Sequence, residues 1–341
     1  MISLFTFQGS NGTFEHQSEL YPNQIPLNLR VGMTFAYAII FVISLVGNIL
    51  LIHLTFKTPY LKTTTNLLVA NMAIADLMIT FFAMPFSVMY LYLQNIWIPG
   101  RVGDITCKIA QYLLALSIAA SILTHVVIAI ERFFCIVLPF KRTLFVKKSK
   151  LTYYFIWCSS FVLMSPYLVV YRSVPFQDGY SYCTVSYEHM HTLQIYVCVV
   201  FILLYIIPLL FIATLYTFVC RKLWSHKVPG NRTHTSISNR EAHNKKTVKM
   251  LIVLVTAFAL CWLPAHVMHL LMYFWPSQFI PFEAISLSFW ACHSHSAINP
   301  LLVAFLSGLY RKACGEVFKT LREKSFSYNN TKETNVRLIA F

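Results

Sequence analysis

Charge is scarce in this chain: Asp, Glu, Lys and Arg make up 11% of its 341 residues, against ~25% in soluble domains. With 57% hydrophobic residues and a mean hydropathy of +0.62, that scarcity points to lipid as the solvent. Polar faces recurring every 3.6 residues are missing from the apolar stretches, which argues against a soluble all-helical bundle. No Cys/His spacing matches a zinc site. No halves repeat, which counts against a membrane transporter, the remote alternative. No metal motif and no nucleophile–base pair supports an enzyme. The first thirty residues are polar, without a short apolar core and small-residue cleavage site. No cleaved signal peptide is therefore expected, and the first span is read as the signal anchor.

Long apolar runs, by contrast, recur seven times: Val31–Phe56, Thr64–Leu93, Ile109–Ile130, Leu151–Tyr171, Thr192–Cys220, Leu251–Phe274 and Ala284–Phe305. Each exceeds the ~17–20 residues needed to cross the hydrocarbon core. The fold class expected is an all-α membrane protein, a seven-helix bundle without cofactor. Placing the N-terminus outside puts two, six, eight and seven basic residues on the successive cytoplasmic segments, 23 of the 27 Lys and Arg. Arg30, Arg101, Lys108 and Arg172 remain outside. This asymmetry orients the chain and accounts for its net charge of +15 without nucleic acid. The expected organisation is an extracellular segment 1–30, a membrane domain 31–306, an amphipathic helix 307–322 on the inner leaflet and a cytoplasmic tail 323–341. The long inner loop from Arg221 to Lys249, rich in Ser, Thr and Asn, is predicted to be flexible.

Polar residues inside spans carry a functional reading by default. Asp76 is the only formal charge within the seven windows, and Ser121, His295, Ser296 and Asn299 are candidates to accompany it. Their oxygens and one carboxylate suit a small hard cation or a proton. Cys107 and Cys183 both fall where an oxidising compartment is expected, so a disulfide between them is predicted. Asn11 heads an outside glycosylation sequon.

In order along the seven spans stand Gly47-Asn48, Leu68 to Asp76, Glu131-Arg132-Phe133, Trp157, Pro208 with Tyr216, Cys261-Trp262-Leu263-Pro264 and Asn299-Pro300. This ordered set resembles the rhodopsin-like (class A) G-protein-coupled receptors over nearly the whole chain. Short stretches of the sixth and seventh spans are most similar to galanin, allatostatin-A and kisspeptin receptors. The resemblance implies a plasma-membrane receptor, glycosylated and disulfide-bonded, that passes a signal to a heterotrimeric G protein by outward movement of helix 6. The inhibitory G-protein class is favoured, with arrestin as a further partner. It implies that Asp76, Ser121, Ser296 and Asn299 hold a sodium ion. Asn71, Thr124 and Trp157 become a structural cluster, and Pro208, Ile122 and Phe258 a packing trio beneath Trp262. Glu131 would hold Arg132 at rest, and Tyr216 would meet Arg132 in the active form.

Three residues depart from the family pattern. Val303 stands where a tyrosine usually links Arg132 to Tyr216, and His125 stands where leucine seals the bundle. Asn244 replaces an acid some members use to latch Arg132. His125 is read as a partial substitute for the tyrosine; the alternative is a weakly signalling receptor. No lysine in the last span can anchor retinal, and Leu114 occupies the aspartate position of amine receptors. A peptide ligand is expected, with a non-peptide small molecule as the alternative. Gln111, Tyr112, His266, His269, Tyr273 and His293 are expected to line its pocket. Aromatic and histidine walls suit aromatic or amidated peptide ends. Glu283 and Asp178 are expected to attract a cationic peptide.

Overall fold

A computed structural model describes the chain except for residues 1–5, 9–13, 17–24, 140–148, 177–178, 186–188, 226–234, 276–278, 318 and 320–341. Asn11, Asp178 and the segment 323–341 therefore lie outside the described residues. Seven long helices dominate. α1 is Leu27–Lys57. α2 runs from Thr64–Met78 through a π-helical turn, Ile79–Ala83, into Met84–Leu93. α3 is Gly100–Ile136. α4 is Ser149–Met164, continued by the short turn Tyr167–Val170. α5 joins Met190–Phe201, a π-helical Ile202–Ile206 and Ile207–Ser225. α6 is Thr235–Phe274 and α7 is Phe282–Leu306. A shorter helix, α8, covers 308–317.

Six of the seven are long and apolar enough to cross a membrane by length and composition. α7 has 25 residues, or ~37 Å at ~1.5 Å per residue. Its His293, Ser294, His295, Ser296 and Asn299 dilute its apolar content, and all five are buried inside the bundle. α3 is the central helix, packing on α2, α4 and α5, while α7 packs on α1 and α6. The predicted spans fall within these helices, except that the fourth, Leu151–Tyr171, runs past its helix so that Tyr171 opens a strand. The inner loop is corrected: 221–225 and 235–249 are helical extensions of α5 and α6. Polar but helix-favouring residues such as Arg240, Glu241, Lys245 and Lys246 sustain the turn beyond the apolar stretch.

Hydrogen bonds from side chains stitch the helices where no water is available. Asn48 Nδ2 donates to the Ser296 carbonyl, 2.9 Å, tying α1 to α7. Asn71 Nδ2 donates to Thr124 Oγ1, 2.9 Å, and Trp157 Nε1 to Asn71 Oδ1, 3.0 Å, so one amide joins α2, α3 and α4. Thr55 and Tyr310 hydroxyls meet at 2.7 Å and fix α8 against α1. Gly47 lets α1 approach α7 closely, since a Cβ there would lie 2.7 Å from Pro300 Cγ.

At one end of the bundle a small antiparallel sheet forms from β3 (Ile96–Trp97), β4 (Tyr171–Pro175) and β5 (Ser181–Val185), in the order β3-β5-β4. β1 (Thr6–Gln8) pairs antiparallel with β2 (Phe14–His16). Cys183 in β5 is disulfide-bonded to Cys107 of α3 with Cα atoms 5.5 Å apart. The Cys183 amide also donates to the Asn95 carbonyl, 2.9 Å, and Ser173 Oγ donates to the Ile98 carbonyl, 2.9 Å. Gly103 is required there: a Cβ would sit 1.6 Å from the Ile98 oxygen.

Candidate functional site

Three polar zones lie along the bundle axis. The first is a cavity of about 390 Å³ beneath the disulfide end, reaching down to Trp262. α2, α3, α6 and α7 supply its walls. The π-helical turn of α2 contributes Ile79 and Ala83, and the next turn contributes Phe86 and Ser87. His293 is central: its Nδ1 lies 3.2 Å from the Tyr37 hydroxyl and 3.4 Å from Ser87 Oγ. A second hollow of about 330 Å³, bounded by Tyr37, Tyr90 and Ser286, shares Phe86, Ser87 and Phe289 with the first. His269 packs edge-on against Phe289, ring centroids 5.2 Å apart, and stacks with Tyr273 at 6.4 Å.

Of the pocket residues expected from sequence, His269 and His293 line this cavity; the others do not. The Tyr112 hydroxyl donates to the Phe161 carbonyl at 3.1 Å and its ring stacks on Phe161, so it serves the α3–α4 seam. His266 lies against Tyr205, 4.7 Å between centroids, and Phe201 on α5. Gln111 is buried beside the disulfide, its Nε2 3.9 Å from Cys183 Sγ. Tyr273 stacks on His269, and Glu283 is exposed in the first turn of α7. Position around each helix decides which residues line the cavity, and on α2 it brings in two that sequence did not single out. Above the widened turn of α2, facing is displaced, and neither Phe86 nor Ser87 carries a polarity signal that sequence can distinguish from lipid-facing neighbours. Ser117 and Phe289 lacked such a signal as well.

The second zone surrounds Asp76, fully buried. Asn299 Nδ2 donates to Asp76 Oδ2 at 2.8 Å. His295 Nδ1 stands 3.9 Å from Asp76 Oδ1, beyond hydrogen-bonding range. Asp76 Oδ1, Ser121 Oγ, Ser296 Oγ and Asn299 Oδ1 are buried without a hydrogen-bond partner among the described residues. Four unsatisfied oxygens, one of them anionic, form a donor set that suits a hard cation such as sodium. Below them, His295 meets Phe258 edge-on at 5.1 Å, and Phe258 meets His125 at 5.5 Å. His125 and His295 are themselves 6.3 Å apart. Phe258 lies 5.9 Å from Trp262, linking this zone to the cavity floor. Ile122 and Pro208 are buried at the same level.

The third zone is at the opposite end of α3. Arg132 Nε donates to Glu131 Oε2 at 2.5 Å and Nη2 donates to Glu131 Oε1 at 2.9 Å. Thr65 of α2 completes the group: its hydroxyl donates to Glu131 Oε2 at 2.9 Å and accepts from Arg132 Nη2. Sequence reading missed Thr65, because an isolated threonine at a helix start reads as a cap. Among the described residues, the buried Tyr216 hydroxyl has no hydrogen-bond partner, and neither does His125 Nε2. Val303 is buried nearby in α7 and offers none. Phe133 meets Phe218 of α5 edge-on at 6.2 Å. It borders a small apolar cluster of Val219, Leu223 and Val248 that holds the ends of α5 and α6 together.

Sequence comparisons agree with this architecture. The profile of the 7 transmembrane receptor (rhodopsin family) matches residues 47–302, well over half of the chain. The growth hormone secretagogue receptor type 1 of Mus musculus is 32% identical over 341 residues, covering 94% of this chain and 89% of its own. The substance-P receptor of Aquarana catesbeiana is 31% identical over 317 residues, covering 91% and 74%. The neuropeptide FF receptor 1 of Rattus norvegicus is 28% identical over 307 residues, covering 83% and 69%.

Proposed function

The chain belongs to the rhodopsin family of seven-transmembrane receptors, and from that premise we propose that it binds an extracellular peptide and signals through a heterotrimeric G protein. The observation that carries the reading is the alignment of the three zones along α3, α6 and α7. A ligand cavity floored by Trp262 is connected through Phe258, His295 and Asp76 to a locked Arg132. Relatives named for peptides, the substance-P receptor among them, support a peptide ligand. The inhibitory G-protein class and arrestin are proposed as partners on the likeness to galanin-type receptors. A non-peptide small molecule is the second reading, because the cavity's apolar and aromatic walls with a few polar groups also suit one. Length series of active peptides separate the two readings.

The disulfide end faces outward in the plasma membrane and the Arg132 end faces the cytosol, a reading supported by the bias of the basic residues. Residues 1–30 are the outer segment, 31–306 the membrane domain, 307–322 the inner-leaflet helix and 323–341 the tail. Asn11 is the proposed glycosylation site. Gln111, Tyr112, His266, Tyr273 and Glu283 shape the mouth and its supporting shell around His269 and His293.

Ligand seated on Trp262 biases the packing of Phe258, Ile122 and Pro208, and Pro264 gives α6 a bend about which it can swing. Separation of α6 from α5 breaks the contact of Val248 with Val219 and Leu223, freeing Arg132 from Glu131 to meet Tyr216. Asn299 and Pro300 let α7 repack in the same step. With Val303 in place of a hydroxyl-bearing residue, His125 supplies the polar group at this level. Asp76, Ser121, His295, Ser296 and Asn299 would hold a sodium ion, whose charge balances the Asp76 carboxylate and favours the resting packing.

The decisive measurement is guanine-nucleotide exchange in membranes carrying this chain, screened against neuropeptides. Exchange that rises with one peptide and is lost in Arg132→Ala supports the reading. Peptide-independent substrate flux across the membrane would sink it.

A further inference from the structure

Tyr37, Phe41, Ser44 and Asn48 recur at helical spacing and share one face of α1. Tyr37 meets His293, and Asn48 meets the Ser296 carbonyl, both on α7. Between them, Phe41 packs edge-on against Phe81, centroids 6.4 Å apart, and Ser44 Oγ lies 2.6 Å from Thr80 Oγ1. Thr80 and Phe81 both belong to the π-helical turn of α2. The backbone ladder of α2 is irregular there. The Met84 N–H bonds to the Ile79 carbonyl, five residues back, and Pro85 has no N–H to donate.

Hydrogen count fixes the direction of each side-chain bond. Thr80 has one hydroxyl hydrogen and gives it to the Asp76 carbonyl, 2.7 Å. Ser44 is therefore the donor to Thr80. The Ser44 oxygen in turn accepts from Asn48 Nδ2, 3.1 Å. Ser44, Asn48 and Thr80 are all 0% exposed, so no water competes for these hydrogens. A threonine bonded back to the carbonyl four residues earlier also favours a bent turn over a regular one.

We propose that Ser44 and Thr80 are positioning residues for the ligand cavity. Their hydroxyl chain bolts the widened turn of α2 to α1 and thereby decides which side chains beyond the turn face the cavity. Neither residue lines it, whereas Ile79 and Ala83 of the turn and Phe86 and Ser87 above it do. Closing the turn to regular α-geometry would rotate everything beyond it by about one residue, ~100°. Phe86 would then take the angular place of Ser87, and Ser87 that of Val88, which does not line the cavity. Ser87 would leave His293. The functional meaning rests on the receptor reading above, but the register itself is tested without ligand.

The full-length chain is expressed in intact cells with Cys292→Ser, which removes the thiol lining the cavity. Ser87→Cys or Phe86→Cys is added as reporter, and its rate of reaction with an extracellular methanethiosulfonate reagent is measured above the parent's. Ser44→Ala and Thr80→Val should each slow Ser87→Cys by ~10-fold or more, equivalent to ~1.4 kcal/mol, and leave Phe86→Cys reactive. Ser44→Thr and Thr80→Ser, which keep the hydroxyl, should retain the original rate. Ser44→Ala deletes a single oxygen and decides the matter if Thr80→Val does not reach the surface. An unchanged Ser87→Cys rate, or an equal fall at both reporters, overturns the proposal. Either result leaves the receptor reading intact, since that reading stands or falls on nucleotide exchange.

Discussion

Thr65 and Glu131 face each other across the α2–α3 seam, the threonine hydroxyl donating to the carboxylate at 2.9 Å. The same hydroxyl accepts from Arg132, so one side chain on a neighbouring helix closes the ion pair into a ring. The lock on α3 is thus not internal to α3. It is set by the position of α2.

Removing that hydroxyl should loosen the lock. Thr65→Val keeps the shape and deletes hydrogen bonds to charged partners, each worth ~1.5–3 kcal/mol. Ligand-free nucleotide exchange should rise several-fold at unchanged surface expression, with Thr65→Ser restoring the resting level. Unaltered basal exchange in Thr65→Val would show that Glu131 and Arg132 suffice alone.

His125 and Val303 make a paired prediction. His125→Leu removes the unpartnered buried nitrogen near Phe258 and should lower peptide-stimulated exchange. Val303→Tyr should raise it, while the added bulk in a buried site costs ~1–3 kcal/mol in stability. Stimulated exchange measured in both variants and the double variant checks this. Normal signalling by His125→Leu refutes the substitute role.

The Cys107–Cys183 bond joins residues 76 apart, which on chain-entropy grounds contributes ~4 kcal/mol. It also holds β5 over the cavity. Cys183→Ser should therefore abolish high-affinity peptide binding and lower the melting temperature of the detergent-solubilised protein. Survival of binding would mean that the β3-β5-β4 pairing positions the loop by itself.

Gly47 tests the α1–α7 contact. Gly47→Ala puts a methyl against Pro300 and should reduce thermal stability and surface yield, because backbone must move. Gly32→Ala, whose Cβ meets nothing within 4 Å, is the control and should match wild type. Equal melting temperatures for the two would contradict the packing.

Asp76→Asn removes the anionic member of the buried oxygen set. Peptide affinity measured with sodium chloride against an impermeant organic cation should differ in wild type and not in the variant. A sodium effect that persists in Asp76→Asn places the cation elsewhere.

The bundle was legible because hydrophobic length and the positions of basic residues both report directly on a bilayer. Residues with one dominant reason to be where they are were also legible: Arg132 beside Glu131, Cys107 with Cys183, Asp76 with Asn299. The cavity wall was not. Tyr112 and His266 have the right chemistry and the right depth, yet they point into the α3–α4 and α5–α6 seams. Facing is set by the phase of each helix, which residue type alone does not reveal; for Phe86 and Ser87 the phase of α2 is shifted as well, by a turn that no residue in Ile79–Ala83 announces. The charged parts of α5 and α6 were read as loop because polarity marks the end of lipid, not the end of helix. Subfamily was the least legible level, since relatives at 28–32% identity carry three different names, neuropeptide FF receptor 1, substance-P receptor and growth hormone secretagogue receptor type 1.

The two π-helical turns have a consequence for anyone aligning this chain with others. A widened turn holds one residue more than a regular α-turn, so beyond it every position is displaced by one in angular register. In α2 this affects everything from Met84 to Leu93, and in α5 everything from Met190 to Phe201. A gapless alignment to a relative with an unwidened helix would map each cavity residue onto its neighbour. In α2 the exposed Pro85 would be read as facing the cavity in place of the buried Phe86, and a residue facing away from the cavity would be mutated in place of one that lines it.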